Sequence, residues 1–455
     1  MERLAALLFL LLANNVAASD DVYTSRAVSL TPTVQADAVS LSPAPFVLNL
    51  SQKVARPSDK AKALRHIAKK SPKHRAHTDT AVVFGTAGDE EYSTNITIGG
   101  QSFSVIVDTG SSDTWLAKKG FACFNLDDTP ATPEDCGFGT TGFVPADSPT
   151  FEAFLDHNFN ISYADGEFLT GDVGFDTVTV GGLTVTHQEI GVVDNAAWFG
   201  DGVTTGLMGL CYPGLTSVYS GDDPDDDSSS NSDEYNPFFF SAIAEGAVSE
   251  PIMSVALNRG SVDAEAGSTI DPNLGFLAFG GIAPVNVTST AVTVPIQGQS
   301  VGSSPNKAFF FYTVDIDAYV FPGSSALSTN GTSILDTGTT LLYVPTPIAN
   351  AYHAQFDPPA TFSDEEGAYI VSCNATVPPF SVIIGGTTFN LTSADVILPV
   401  GTDDDGNLFC ISGIDDGGPA VDGNIFVLGD TFLHNVVATF NLGTNQVTLT
   451  ERAPY

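Results

Sequence analysis

Beyond residue 80 this chain has almost no positive charge. Its 455 residues include 16 Lys and Arg against 53 Asp and Glu, a formal net charge of −37 at pH 7. Of those 16 basic residues, 11 precede residue 80 and 9 fall between Lys53 and Arg75, which leaves 5 for everything after. A body so acidic repels phosphate backbones and anionic membrane surfaces, so nucleic acid and lipid are excluded as its partners. Cysteine is scarce, with 5 residues, too few for a disulfide-dense scaffold. After Ala13 no apolar run approaches membrane-spanning length. The patterns His-Glu-x-x-His and Gly-x-Ser-x-Gly are missing, so zinc-peptidase and serine-hydrolase chemistry lack their residues. Helical periodicity is nearly absent as well.

What is present begins with a leader. Met1-Glu2-Arg3, an apolar stretch from Leu4 to Ala13 and the small residues Val16-Ala17-Ala18 read as a signal peptide over residues 1–18. The last residues, Glu451 to Tyr455, carry no hydrophobic tail of the kind that precedes a lipid anchor. The expected location is extracellular, with a vacuolar or lysosomal-type compartment as the alternative. Sequons at Asn95, Asn160, Asn286, Asn330, Asn374 and Asn390 agree with export. Residues 19–78 are rich in Ala, Pro and Ser and then strongly basic, with a helix-compatible run from Asp59 to Lys70. A free basic tail is one reading. Attachment to an acidic body favours another: a propeptide that acts as an intramolecular inhibitor until acid protonates the carboxylates it pairs with. His74 and His77 lie in this segment and read as charge, not as metal ligands.

A chain of this length exceeds one ordinary core, and two units are expected, residues 79–255 and 256–455. Both read as β. Short runs such as Ser93–Ile98, Phe103–Val107, Phe175–Val180, Phe380–Ile384 and Val436–Phe440 are rich in Val, Ile, Thr and Phe and are bounded by Gly, Asn or Asp. Gly181-Gly182 and Gly385-Gly386 have the form of hairpin turns. Helices are expected only at Pro237–Glu245 and Pro347–Phe356. Residues 220–236 form an acidic, serine-rich insertion that reads as a solvated loop and lacks the spacing of a calcium loop. In an exported chain the close cysteine pairs Cys123–Cys136 and Cys373–Cys410 are the first candidates for disulfides, which leaves Cys211 as a buried thiol in an apolar run.

The informative feature is a repeated tripeptide. Val105-Ile-Val-Asp108-Thr109-Gly110-Ser111-Ser112 and Ser333-Ile-Leu-Asp336-Thr337-Gly338-Thr339-Thr340 match in pattern, 228 residues apart. Each is followed, at a similar offset, by two apolar residues and a glycine: Leu207-Met208-Gly209 and Val427-Leu428-Gly429. Two landmarks in the same order indicate a duplicated lobe that gives one aspartate per copy to a shared centre. A pair of close carboxyls cannot easily ionise together. One then acts as general base on water while the other carries a proton for an amide leaving group. Gly110 and Gly338 admit close backbone approach, Ser111 and Thr339 can bond the carboxylates, and Thr109 and Thr337 can tie the two loops together.

On these residues the chain resembles the pepsin-like aspartic proteases of eukaryotes, in their secreted, fungal-type form. Asp108 to Trp115 resembles the first active-site segment of that family. Ile161-Ser162-Tyr163-Ala164-Asp165-Gly166 is similar to its flap, whose tyrosine bonds toward that tryptophan. Ala164 departs from the usual glycine. The resemblance implies a bilobal all-β fold with a six-stranded interdomain sheet and a peptide cleft. It further implies catalytic roles for Asp108 and Asp336, with Tyr163, Asp165, Gly166 and Trp115 at the flap and substrate side. It places Cys123–Cys136 and Cys373–Cys410 where the family has disulfides, and sets Trp198 near a side-chain pocket. A monomeric zymogen that cleaves proteins and peptides at acidic pH, without cofactor or metal, is the expected function. A binding protein on the same fold is the competing class. Its members break an Asp-Thr-Gly or lose the flap tyrosine, and neither has happened here.

Overall fold

The computed structural model describes residues 42–53, 91–139, 142–163, 166–260, 270–300, 307–324, 331–364, 366–402, 408–419 and 426–455. The leader, most of the basic segment, Ala164, Asp165 and Asn330 lie outside the described residues.

The apolar runs become strands of two β lobes. In the first, nine strands form one sheet, in which Gln101–Asp108 lies parallel to Gly206–Gly209 with Asp108 opposite Gly209. Thr114–Phe124 pairs antiparallel with Gly206–Gly209 and parallel with Leu183–Ala197. The second lobe repeats this pattern. Gly331–Leu335 lies parallel to Phe426–Leu428, and Leu342–Val344 pairs antiparallel with Phe426–Leu428 and parallel with Ile414–Asp416. The duplication read from short motifs is thus a duplication of strand topology.

The two downstream glycines are required by that topology. A Cβ on Gly209 would stand 2.5 Å from the carbonyl carbon of Ser112, and one on Gly429 would stand 2.2 Å from the Thr339 oxygen. Each glycine lets its strand pass directly beneath the turn that carries the aspartate. The Gly181-Gly182 and Gly385-Gly386 turns have positive φ at both residues, as two-residue hairpin turns demand.

A six-stranded sheet joins the lobes, in the order Phe46–Asn49, Gly275–Phe279, Ile252–Leu257, Val436–Asn441, Gln446–Arg452, Val287–Pro295. Its strand Ile252–Leu257 runs across the boundary expected at 255/256. Its first strand comes from the Ala/Pro/Ser-rich stretch, where composition suggested only a charged appendage. Here main-chain pairing and the burial of Leu48 and Leu50 hold the segment.

The expected helices appear as Phe238–Ala244 and Thr346–His353, and a one-turn helix, Asp430–Leu433, follows Gly429. Thr114–Phe124 was not legible as a strand because Lys118, Lys119 and Gly120 interrupt its apolar pattern. The acidic insertion is less detached than a solvated loop. Asp227 accepts hydrogen bonds from the side-chain amides of Asn158 and Asn160, and Tyr235 near the end of the insertion is buried with its hydroxyl on Asp113. Both expected disulfides are formed, and Cys211 is a buried free thiol. Among the described residues no helix is long and apolar enough to cross a membrane.

A buried polar knot fastens the first lobe to the second. Asp395 accepts from Arg259 at 2.6 and 2.8 Å and from Asn435 at 2.9 Å, and lies 3.0 Å from His434, whose other ring nitrogen is 2.7 Å from the Tyr92 hydroxyl. Burial works against the Asp395 charge, but its hydrogen bonds with His434 and Arg259 outweigh that and hold the carboxyl below its usual range.

His353 has the opposite relation to acid. It is buried against Tyr369, their rings 3.6 Å apart, and burial pushes its imidazole down to about 4. A histidine depressed in the folded state supports folding above its unfolded value near 6.5, and that support is lost as pH falls toward 4. His353→Leu should therefore flatten the loss of stability between pH 7 and pH 4 by about 3 kcal/mol. Denaturant unfolding of both proteins at the two pH values measures this, and equal slopes would contradict it.

Candidate active site

The two Asp-Thr-Gly turns meet at the centre of the molecule, at the ends of the strands Gln101–Asp108 and Gly331–Leu335. Their threonines exchange hydrogen bonds across the lobe boundary. The Thr109 amide donates to the Thr337 hydroxyl at 3.1 Å, and the Thr337 amide donates to the Thr109 hydroxyl at 3.0 Å. Each hydroxyl in turn donates to the opposite strand, Thr109 to the Leu335 carbonyl at 2.9 Å and Thr337 to the Val107 carbonyl at 2.7 Å. Four buried hydrogen bonds related by an approximate twofold axis leave the turns one relative position.

That position sets the carboxyl groups face to face. Asp108 Oδ1 accepts from the Gly110 amide at 2.6 Å and Oδ2 from the Ser111 hydroxyl. Asp336 Oδ1 accepts from the Gly338 amide at 2.8 Å and Oδ2 from the Thr339 hydroxyl at 2.7 Å. Each glycine is also pressed against the other lobe's aspartate. A Cβ on Gly110 would lie 2.5 Å from the Asp336 carboxyl carbon, and one on Gly338 would lie 2.6 Å from Asp108 Oδ1. The glycine of each motif is thus dictated by the partner motif, which neither tripeptide reveals alone.

Burial, and next the Asp108 charge, raise Asp336 well above the carboxylate range. Both side chains are nearly enclosed, Asp108 at 6% and Asp336 at 2% exposure. The pair therefore holds a single proton between two carboxyls over a broad range, a state suited to taking one proton and giving another. Among the described residues no cluster of His, Cys, Asp and Glu could hold a metal ion.

Tyr163 reaches the site from the hairpin of Glu152–Ser162 and Phe168–Val180. The Trp115 indole nitrogen donates to its hydroxyl at 2.9 Å. Burial and the Asp108 charge push the phenol well above its usual range, so Tyr163 stays protonated and can donate. Gly166 follows in a left-handed conformation, φ 95°, and its amide donates to the Tyr163 carbonyl at 3.0 Å. Trp198 packs edge-on to Trp115 and to Tyr163, with centroids 5.2 and 5.6 Å apart, and is only 2% exposed. It backs the tyrosine and shows no face to a cleft.

Two buried acids beside the flap carried no signal in the sequence. Asp113 receives the Tyr235 hydroxyl at 2.7 Å and the Ser217 amide at 3.0 Å, and burial raises it to about 6. Glu167 accepts from the Phe199 amide at 2.7 Å. Their partners lie 122, 104 and 32 residues away along the chain, beyond any local pattern.

Fold and site together define a bilobal all-β protein of pepsin-like architecture with a paired-aspartate centre. Residues 91–452 match the family described as eukaryotic aspartyl protease. A probable aspartic-type endopeptidase of Aspergillus fumigatus is 41% identical over 363 residues, covering 78% of this chain and 77% of that protein. Rhizopuspepsin of Rhizopus chinensis is 29% identical, covering 91% and 95%. The crystal structure of an aspartic proteinase from Irpex lacteus shares the fold with a TM-score of 0.61 at 20% identity, over 90% of this chain and 97% of that one. The chain belongs to the eukaryotic aspartyl protease family and is an aspartic-type peptidase.

The raised Asp336 gives a stability prediction that needs no substrate. A carboxyl elevated by folding supports the folded state below its unfolded value, and that support is lost as pH rises through the folded one. The Asp336 contribution to stability should be lost from pH 4 toward pH 8, so Asp336→Asn should gain on the wild type over that interval. Thermal unfolding across the range decides it, and parallel curves would count against a shared proton.

Proposed function

We propose that this chain is the zymogen of an exported endopeptidase that hydrolyses protein substrates at acidic pH. Asp108 and Asp336 perform the chemistry, with Thr109, Gly110, Ser111, Thr337, Gly338 and Thr339 as their support. The observation that carries the reading is the face-to-face carboxyl pair, held by reciprocal threonines and covered by Tyr163.

In this mechanism the ionised member takes a proton from a water held between the carboxyls. The water oxygen bonds to the substrate carbonyl carbon while the protonated member gives its proton to the carbonyl oxygen, and a tetrahedral diol forms. The member that took the water proton then gives it to the amide nitrogen as the carbon–nitrogen bond breaks, a diol hydroxyl returns a proton to the other carboxyl, and two peptide ends leave. The elevation of Asp336 supports its holding the proton at the start. Tyr163 and its flap close over an extended peptide, which would be read by main-chain hydrogen bonds and apolar pockets. Phe121 and Phe138, half-buried beside Trp115, support a preference for apolar residues beside the scissile bond.

Residues 1–18 direct export, and residues 19–78 are the inhibitory propeptide, removed on acidification. The excess of Lys and Arg before residue 80 and the acidic remainder support this division. The expected product is a monomer.

Asp108→Asn and Asp336→Asn should each reduce peptide hydrolysis at acid pH by at least about 1,000-fold while the protein stays folded. Retained cleavage in either variant would remove that residue from the mechanism. Export also predicts where glycans attach. Asn95, Asn286, Asn374 and Asn390 are exposed, whereas the Asn160 amide already donates to the Pro224 carbonyl and to Asp227. Peptide mass spectrometry of the secreted protein should find glycan at exposed sequons and none at Asn160. Full occupancy of Asn160 would mean that the insertion docks differently during synthesis.

A further inference from the structure

Glu167 stands at the foot of the flap and touches it from two directions. Its backbone carbonyl accepts from the Tyr163 amide at 2.8 Å. Its side-chain Oε1 accepts from the Phe199 amide at 2.7 Å. The residue is 1% exposed, an unusual place for a glutamate in a chain with so much solvent-facing acid.

The ladder geometry explains what the carboxylate does there. Phe168–Val180 pairs with Leu183–Ala197, and the last matched pair at the flap end is Phe168 with Ala197. Beyond it the strands part, since one continues into the flap and the other into Trp198 and Phe199. The Glu167 side chain supplies a further rung there by accepting the Phe199 amide. Fixing Phe199 fixes its neighbour Trp198, whose ring backs both Tyr163 and Trp115. Trp115 in turn donates to the Tyr163 hydroxyl.

We propose that Glu167 is a positioning residue that latches the flap and sets Tyr163 over the aspartate pair. It acts through Phe199 and Trp198 and touches neither substrate nor reacting atoms. This inference rests on the reading of Tyr163 as the residue that closes over substrate. Without the latch the flap and the segment 198–199 separate, and the closed, peptide-bound arrangement becomes less populated. Substrate binding then weakens, while the carboxyl pair, held by the threonine exchange, keeps its chemistry.

The molecule carries its own probe. It has 2 tryptophans, Trp115 and Trp198, and both lie in this cluster, so intrinsic tryptophan fluorescence reports on the foot of the flap alone. The matured enzyme should be compared with Glu167→Ala and Glu167→Gln for kcat, KM and tryptophan emission. The glutamine keeps a side-chain oxygen that accepts the Phe199 amide. Glu167→Ala should raise KM for a long peptide by about tenfold with kcat little changed, the size of one lost buried hydrogen bond. Its emission should shift to the red, and Glu167→Gln should restore both. Unchanged KM and emission in the alanine variant would overturn the latch. So would equal losses in kcat and KM that glutamine fails to restore, since that pattern is general destabilisation. Should the alanine variant not fold, hydrogen exchange on the wild type decides: the Phe199 amide should be as protected as the paired amides at 195–197, and free exchange there would overturn the proposal. Fluorescence and exchange need no substrate, so an inactive wild type would count against the peptidase mechanism while leaving the latch separately tested.

Discussion

The structure depends on the exchange of hydrogen bonds between Thr109 and Thr337. Two carboxyl groups buried face to face repel each other once both ionise, and nothing in either lobe alone would keep them together. The threonines supply the restraint from below, through two amide-to-hydroxyl and two hydroxyl-to-carbonyl bonds across the boundary. With these in place each glycine can sit against the opposite carboxyl, and the pair shares a proton in place of separating. The six-stranded sheet and the knot around Asp395 serve the same end at longer range, since they stop the lobes from turning about that central contact.

Charge acts at three scales in this protein. Over the whole chain it divides a basic N-terminal segment from an acidic body. Inside the fold a few acids are buried for specific purposes. Asp395 is kept ionised by Arg259 and His434, Asp336 is kept protonated by burial and its neighbour, and Glu167 accepts a backbone amide at the flap. At the surface, Asp172 and Asp194 share Lys118. Composition cannot distinguish these uses, because the same residue type is stabilised by a cation in one place and neutralised by desolvation in another.

The segment around Phe46–Asn49 shows how a local reading can miss a structural role. Its composition suggested an appendage held by charge, yet it is a strand of the sheet that joins the lobes, with Leu48 and Leu50 buried beneath it. A four-residue strand at a sheet edge has too few alternations to stand out from an Ala/Pro/Ser-rich background. The one-turn helix Asp430–Leu433 escaped for the same reason, being shorter than a helical period can be read.

The amino-acid sequence by itself determined the duplication, the identity of the paired aspartates, the flap tyrosine with its tryptophan, the hairpin glycines and the cysteine pairing. All of these are written in contiguous residues or in recurrence of the same few residues, where local stereochemistry leaves little choice. The tertiary structure alone decided which side of each glycine the opposing carboxyl occupies, that Trp198 backs Tyr163, that Tyr235 reaches Asp113 and that Glu167 holds Phe199. Those contacts join segments tens to hundreds of residues apart, and a buried hydrogen bond between distant segments leaves no periodicity in either of them. Only when the strands are laid side by side does the chain bring such groups within reach.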